Sequence, residues 1–418
     1  MNYKEAMAYI KSLRRFGSRP GLERIGELCR RLGDPQNDFR YIHVTGTNGK
    51  GSVCSMIYSA LCFAGVGTGL FTSPYMLDFS ERFAADGTYI TREEIASIVT
   101  EIAPHADAME DTPTEFELLT AMAFLFFRAR GCKFVVFEAG MGGRLDSTNI
   151  IPAPEVAVIT GVALDHTAIL GPTVEAIARE KAGIIKRGCS VVIGDMPAEA
   201  ESVIRDTAAA VGAEVTHAGA GTAYEPRDAE YSSDGVVFTL DGRGDFFLPL
   251  CGIYQPKNAA VAVATLDRTQ LCGRAIPDIV IKEGLSRARW RGRFELFSPD
   301  PVLIFDGAHN PQGMRAAADS LAAYYPSKKF CVVTGVLADK DYTEIASIMR
   351  EFALEAHTIT PQNTRALSAS DYAEVLSGAR IPATPHGSMA EALAACAGRD
   401  TIVVGSLYIY KDFIEATE

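Results

Sequence analysis

Residues 41–52, Tyr-Ile-His-Val-Thr-Gly-Thr-Asn-Gly-Lys-Gly-Ser, set Gly46, Gly49 and Gly51 around a single lysine, Lys50. The apolar run 41–44 reads as a buried strand, and the apolar-periodic stretch 53–64 as a helix. A strand, a glycine loop carrying a lysine and a helix start together make a phosphate cradle. Glycines let backbone N–H groups approach the phosphates, the helix start adds partial positive charge, and Lys50 adds a full one. The ligand this implies is ATP or a close relative. The loop departs from the common P-loop: Val44 stands at the first glycine position, Gly51 replaces the hydroxyl after the lysine, and Ser52 comes one place late.

Other chemistry-bearing residues follow predicted strands. Glu138 ends the apolar run 133–137 and meets Ala-Gly-Met-Gly-Gly-Arg-Leu-Asp-Ser-Thr-Asn149. A carboxylate beyond a strand's carboxyl end, beside a nucleotide loop, suits magnesium, though it also suits a turn cap. The glycines at 140, 142 and 143 have the wrong spacing for a dinucleotide fingerprint. Asp165-His166 follows the run 156–160, where a histidine is a ligand or a hydrogen-bonded loop residue. Lys181 lies near a helix end in Arg-Glu-Lys-Ala-Gly, and Ser73 follows the run 68–71. Thr114-Glu-Phe-Glu117 has the form of a helix start with threonine as cap.

These residues need a scaffold, and the pattern supplies strand–helix alternation: an α/β fold with a mostly parallel sheet. Predicted strands span 42–45, 68–71, 134–138, 156–160 and 190–193. Predicted helices start at the capping box Thr91-Arg-Glu-Glu94 and cover 115–130, 173–185, 198–211, 256–272 and 276–287. Residues 222–250, alternating around Asp241-Gly242, read as a β-hairpin insertion. After an Arg-, Gly- and Pro-rich break at 289–301, the alternation resumes with strands at 302–305, 329–336 and 401–404 and helices at 312–324 and 343–352. The expected domains are an ATP-binding unit over 1–290, a linker over 291–300 and a smaller Rossmann-like unit over 301–418.

Two strings, Gly-Thr-Asn-Gly-Lys-Gly-Ser and E-x-G-x-G-G-x-x-D-x-T-N, resemble the Mur ligase superfamily and, within it, the folylpolyglutamate synthase/dihydrofolate synthase family. The likeness runs from Gly21-Leu-Glu-Arg-Ile25 to Gly405-Ser-Leu-Tyr408. It implies an ATP-dependent amide ligase that activates a carboxylate of dihydropteroate or of a reduced folate as an acyl phosphate and joins it to L-glutamate. It assigns the nucleotide to Thr47, Asn48, Gly49, Lys50, Gly51, Ser52, Asn258, Arg293 and Asp306, and the pterin to Thr114, Phe116, Glu117, Leu145, Asp146 and Ser147. It places one Mg²⁺ on Ser73 and Glu138 and a second on His166 and Lys181, the lysine carbamylated; carbamylation needs the neutral amine, so surroundings that depress its pKa help. His309 and Ser406 fall to the incoming glutamate, with His309 the candidate base, and the two domains are expected to close around the reactants. Tyr75 and Arg291 depart from the family pattern, which has His and often Pro there. A peptidoglycan Mur ligase would carry a UDP-binding domain ahead of its ATP loop, and 45 residues leave no room for one. A P-loop NTPase without ligase activity would not need the Lys181 and 114–117 stretches.

The chain has 418 residues, 48% hydrophobic and 22% charged, which suits two globular domains. The net charge of −12 argues against a nucleic-acid partner. The longest apolar run, 118–127, is too short for a membrane span, and residues 1–5 lack a signal-peptide core, so a cytoplasmic location is expected. Cys29, Cys54, Cys62, Cys132, Cys189, Cys251, Cys272, Cys331 and Cys396 form no C-x-x-C pair and read as free core thiols, with no disulfide, zinc site or thiol catalysis. The family likeness implies a monomer.

Overall fold

The computed structural model describes every residue except Ser18 and Cys272, together with all side chains but those two and that of Phe16. Cys272, one of the thiols read as free, therefore lies outside the described residues. The backbone forms two compact units. The first holds residues 1–225, 240–243 and 257–288; the second holds 226–239, 244–256 and 289–418.

The first unit is built on β1 (Arg40–Thr45), β2 (Thr68–Phe71), β3 (Phe83–Ala85), β4 (Thr88–Tyr89), β5 (Phe134–Glu138), β6 (Val156–Ile159), β7 (Ser190–Ile193) and β8 (Val215–His217). They lie in the order β4-β3-β2-β5-β1-β6-β7-β8. β2, β5, β1, β6, β7 and β8 run parallel, and β3 and β4 add an antiparallel edge. Strands covered by helices on both faces must be apolar on both, which is why β2, β5 and β6 are buried throughout. One face packs Phe71, Phe124 and Phe137 in a shared aromatic cluster, with ring centroids 5.1 and 5.4 Å apart around Phe137. The other packs Ala157, Ile159, Val191 and Ile193 against Ile177 and Ile204. β1 sits between β5 and β6, so its carboxyl end opens at the middle of the sheet.

In the second unit, β9 (Arg227–Ser232), β10 (Gly235–Leu240) and β11 (Gly244–Leu248) make a three-stranded sheet in the order β11-β10-β9. The reading of 222–250 as one hairpin is thus corrected: the polar strand β9, with no clean alternation to mark it, adds a third strand. β12 (Gln270–Leu271) and β13 (Arg274–Ala275) pair in the first unit, so the helix expected over 256–272 ends at Arg268. A six-stranded sheet completes the second unit: β14 (Glu295–Pro299), β15 (Val302–Asp306), β16 (Phe330–Thr334), β17 (Ala353–Thr358), β18 (Ala383–Pro385) and β19 (Thr401–Val404), in the order β14-β15-β19-β16-β17-β18. All are parallel but β14, an edge strand inside the stretch read as a linker.

Candidate active site

The loop after β1 is shaped by contacts that only glycine permits. Gly46 has φ 155°, and a Cβ there would fall 1.9 Å from Thr160 Oγ1. Gly49, at φ 85°, caps the helix Lys50–Phe63, and a Cβ there would fall 2.5 Å from Asn258 Oδ1. Three bonds to the segment after β6 fix the loop: the Thr47 N–H donates to Gly161 O (2.9 Å), the Thr47 hydroxyl to Ala163 O (3.1 Å) and the Thr160 hydroxyl to Asn48 O (2.6 Å). Lys50 folds back over this loop, its Nζ 3.1 Å from Gly46 O and 3.2 Å from Thr47 O. The result is a helix N-terminus, an open-backed loop and a cation at one place, which is what a polyphosphate requires. Ser52, one position late for the usual hydroxyl, is 2% exposed within the helix.

Neighbouring strand ends bring up the acids. Glu138 ends β5, is buried, and accepts the Ser73 N–H at 3.0 Å. Ser73 follows β2, and its backbone N–H brings the two residues assigned to one magnesium together. Both are hard oxygen donors, and they fit that ion. His166 caps the short helix Thr167–Leu170 at φ 51°; its N–H donates to Asp165 Oδ1 at 2.8 Å, and its Nε2 lies 4.0 Å from the same oxygen.

Lys181 ends its helix, Val174–Ala182, in the interior and is 3% exposed. Its pKa is lowered to about 7, chiefly by burial and then by the Lys50 charge, with Asp165 and Asp146 opposing. An amine partly neutral near pH 7 can take up carbon dioxide, so the environment fits the carbamate. The helix is locked to the loop before it. A Cβ on Gly143 would lie 2.9 Å from both Glu180 O and Lys181 O; the Arg144 N–H donates to Glu180 O at 2.8 Å and the Asn149 amide to Gly183 O at 3.0 Å.

The residues assigned to the pterin fall into two groups. Phe116 packs on Gly140, where a Cβ would strike its ring at 2.6 Å, and Ser147 Oγ lies 2.7 Å from Thr120 Oγ1. Leu145 is half-buried beside them, its carbonyl 3.5 Å from the Gly21 N–H. Asp146 is buried, which raises its pKa, and accepts from Met141 N (2.9 Å), Thr148 N (3.0 Å) and Thr148 Oγ1 (2.5 Å). Thr114 and Glu117 form a reciprocal helix cap, and Glu117 is paired with buried Arg24 at 3.1 Å. Arg24, Thr160 and the His43–Thr148 contact behind Asp146 (2.9 Å) all escaped the sequence reading. Each acts across the fold, at separations no local motif marks.

In the second unit, Asp306 ends β15 and is buried, which raises its pKa despite nearby Arg293. It accepts from Tyr254 Oη (2.7 Å), Phe294 N (2.8 Å) and Ala308 N (2.7 Å). Arg293 leans over Gly307, where a Cβ would meet its Nη1 at 2.5 Å. His309 Nδ1 lies 2.8 Å from Gly307 O, a contact that holds the ring as the Nδ1–H tautomer. Ser406 is buried just past β19 and caps the turn Leu407–Ile409. Asp306, His309 and Ser406 therefore cluster at the carboxyl ends of the adjacent strands β15 and β19. Tyr254, 52 residues from the Asp306 it holds, had no sequence signal.

Phosphate loop, strand-end acids and buried lysine define a Mur-type nucleotide-dependent ligase architecture, and the comparisons agree. Residues 44–266 match the Mur ligase middle domain and residues 292–406 the Mur ligase glutamate ligase domain. A folylpolyglutamate synthase of Lacticaseibacillus casei is 36% identical, covering 98% of this chain and 97% of that one. The dihydrofolate synthase/folylpolyglutamate synthase of Bacillus subtilis is 37% identical over 88% of this chain and 87% of its own. Among solved structures, the Mycobacterium tuberculosis folylpolyglutamate synthase complexed with ADP and AMPPCP superposes with a TM-score of 0.89 at 29% identity, covering 98% of each chain. An FPGS–AMPPCP–folate complex gives 0.85 at 34% identity, covering 100% of this chain and 99% of that one. The chain belongs to the folylpolyglutamate synthase/dihydrofolate synthase family of Mur ligases.

Proposed function

We propose that the protein is an ATP-dependent carboxylate–amine ligase that adds L-glutamate to dihydropteroate, to the glutamate tail of reduced folates, or to both. The observation that carries this reading is the Lys50 cradle and the Glu138–Ser73 pair at the carboxyl ends of neighbouring central strands, with the buried Lys181, whose pKa burial lowers, within reach of the Lys50 charge. A phosphate cradle alone would serve hydrolysis; a depressed buried lysine beside it would not be needed.

In this reading the acceptor carboxylate attacks the γ-phosphate and leaves an acyl phosphate, which the glutamate amine then displaces. Lys50 and the loop N–H groups from Asn48 to Ser52 hold and neutralise the transferring phosphoryl group, while Thr47 anchors the loop. Asn258, beside Gly49, together with Arg293 and Asp306, is assigned to the nucleotide. Magnesium, held by Ser73 and Glu138 and by His166 and carbamylated Lys181, supplies charge neutralisation at the phosphates and acceptor when bound. Phe116, Leu145 and Ser147 line the pterin, while Thr114, Glu117 and Asp146 set the backbone around it. His309, its Nδ1 tied to Gly307 O, is the candidate base for the glutamate amine, and Ser406 is assigned to orient that substrate. A cytoplasmic monomer is the expected form. No described helix is long and apolar enough to cross a membrane.

The test is phosphate release from ATP and Mg²⁺ with L-glutamate and either dihydropteroate or tetrahydrofolate, each omitted in turn. Release that needs glutamate plus a pterin acceptor is expected, and the acceptor used separates the two activities. Equal turnover of ATP without either would sink the ligase reading.

A further inference from the structure

The second unit carries a cluster that the ligase chemistry leaves unused. Cys331 on β16, His357 on β17 and Cys396 just after the helix Met389–Ala395 are all buried, and their ligand atoms lie within 4.8 Å of one another. Glu355 pairs with Cys331 across the strands and His357 with Val333 two residues on, so these side chains share one sheet face. The same register places the cluster far from the candidate glutamate site. Cys331 aligns with Thr401 at the start of β19, whereas Ser406 follows that strand's end.

The hydrogen bonds converge on one point. Glu355 Oε1 lies 3.8 Å from Cys331 Sγ, 3.0 Å from His357 Nε2 and 2.5 Å from Arg399 Nη1. His357 Nδ1 lies 2.8 Å from His386 Nε2. A thiol proton and an imidazole proton thus point at one carboxylate oxygen, with a second thiol alongside. That is the geometry a soft divalent cation takes over when it replaces those protons. Two thiolates, one imidazole and one carboxylate make a tetrahedral zinc set, with Zn–S near ~2.3 Å and Zn–N near ~2.0 Å, so the donors need to close up by about 1 Å.

We propose that Cys331, His357, Cys396 and Glu355 form a structural zinc site, built into the fold away from the catalytic residues. His357 ligates through Nε2; its ring proton moves to Nδ1 and is accepted there by His386 Nε2, whose own proton moves to Nδ1, so both imidazoles stay neutral and His386 orients the ligand as an outer partner. Binding releases two thiol protons to solvent. The resulting site, Zn²⁺ with two thiolates and a carboxylate, carries one negative charge, and the Arg399 guanidinium beside Glu355 balances it. The metal ties the end of the helix Met389–Ala395 to β16 and β17.

The full-length chain, purified without chelator, is assayed for zinc by mass spectrometry, then stripped and titrated with Zn²⁺ or Co²⁺ alone. The expected results are about one tightly held zinc per chain, a thiolate-to-cobalt charge-transfer band in the Co²⁺ form, and a melting temperature that rises with Zn²⁺. Cys396→Ser loses the band and the melting shift, and Glu355→Gln weakens zinc binding by roughly tenfold or more. Absence of the charge-transfer band from the wild-type chain overturns the proposal, whatever the variants do. So does a Cys331–Cys396 disulfide in the freshly isolated protein, revealed by two thiols that resist alkylation until reduced.

Discussion

Lys50 sits at the phosphate loop and donates to two carbonyls, Gly46 O and Thr47 O. Lys50→Ala is expected to cut ligase turnover by about 100-fold or more, because a full charge is removed where phosphoryl charge develops. Melting should move by less than about 1 kcal/mol, and a parallel phosphate-release and thermal-melt series checks both. Lys181 is expected to carry a carbamate. Protein equilibrated with ¹³C-bicarbonate should show a carbamate carbonyl resonance that Lys181→Met lacks, and full activity in carbamate-free enzyme would refute the role. His43 bears on stability instead. Buried beside Lys186, it is pushed down from 6.5 to about 3, so between those values the unfolded chain binds a proton that the folded one refuses. The stability His43 contributes is whole above about pH 6.5 and drains away toward pH 3, at up to about 1.4 kcal/mol per pH unit. In urea titrations across that window, His43→Leu should show a shallower acid limb; an unchanged slope would mean the imidazole charges in place.

Local elements hold the site by features of uneven legibility. β2, β5, β7 and β19 could be read to the residue, because buried parallel strands are unbroken apolar runs. β17 was missed, since Glu355 and His357 interrupt the apolar pattern on the face turned to the thiols. The phosphate loop was equally plain, its glycines and lysine all falling within residues 46–51; its clamp, Thr160, was not, because it acts from 112 residues away. Two joints between elements can be tested. Arg24 is the buried partner of Glu117 at the start of the helix Glu115–Ala129, and Arg24→Met would strand that carboxylate, at a cost of about 3–5 kcal/mol by denaturant unfolding. Gly143→Ala would push a methyl against two carbonyls at 2.9 Å, for a cost of about 1–3 kcal/mol. Because one of those carbonyls belongs to Lys181, activity should fall further than stability does, and equal losses would show that the loop merely packs.

The whole molecule is divided in an order that its sequence does not follow. The second unit draws β9, β10, β11 and the Asp306-holding Tyr254 from before residue 257. A fragment 289–418 lacks all of them and is expected to be cut by trypsin far faster than the same segment in the full chain. Comparable resistance would mean that the six-stranded sheet is self-sufficient. The chain crosses between units five times, after residues 225, 239, 243, 256 and 288. During synthesis, therefore, neither unit is finished before the other has begun. Strands β9 to β11 leave the ribosome more than forty residues ahead of β14, the first strand of the sheet in their own unit, while the first unit still awaits its closing helices. A nascent chain so arranged carries unpaired strand edges in the interval, and its chaperone dependence should be set by that wait rather than by the stability of the finished enzyme.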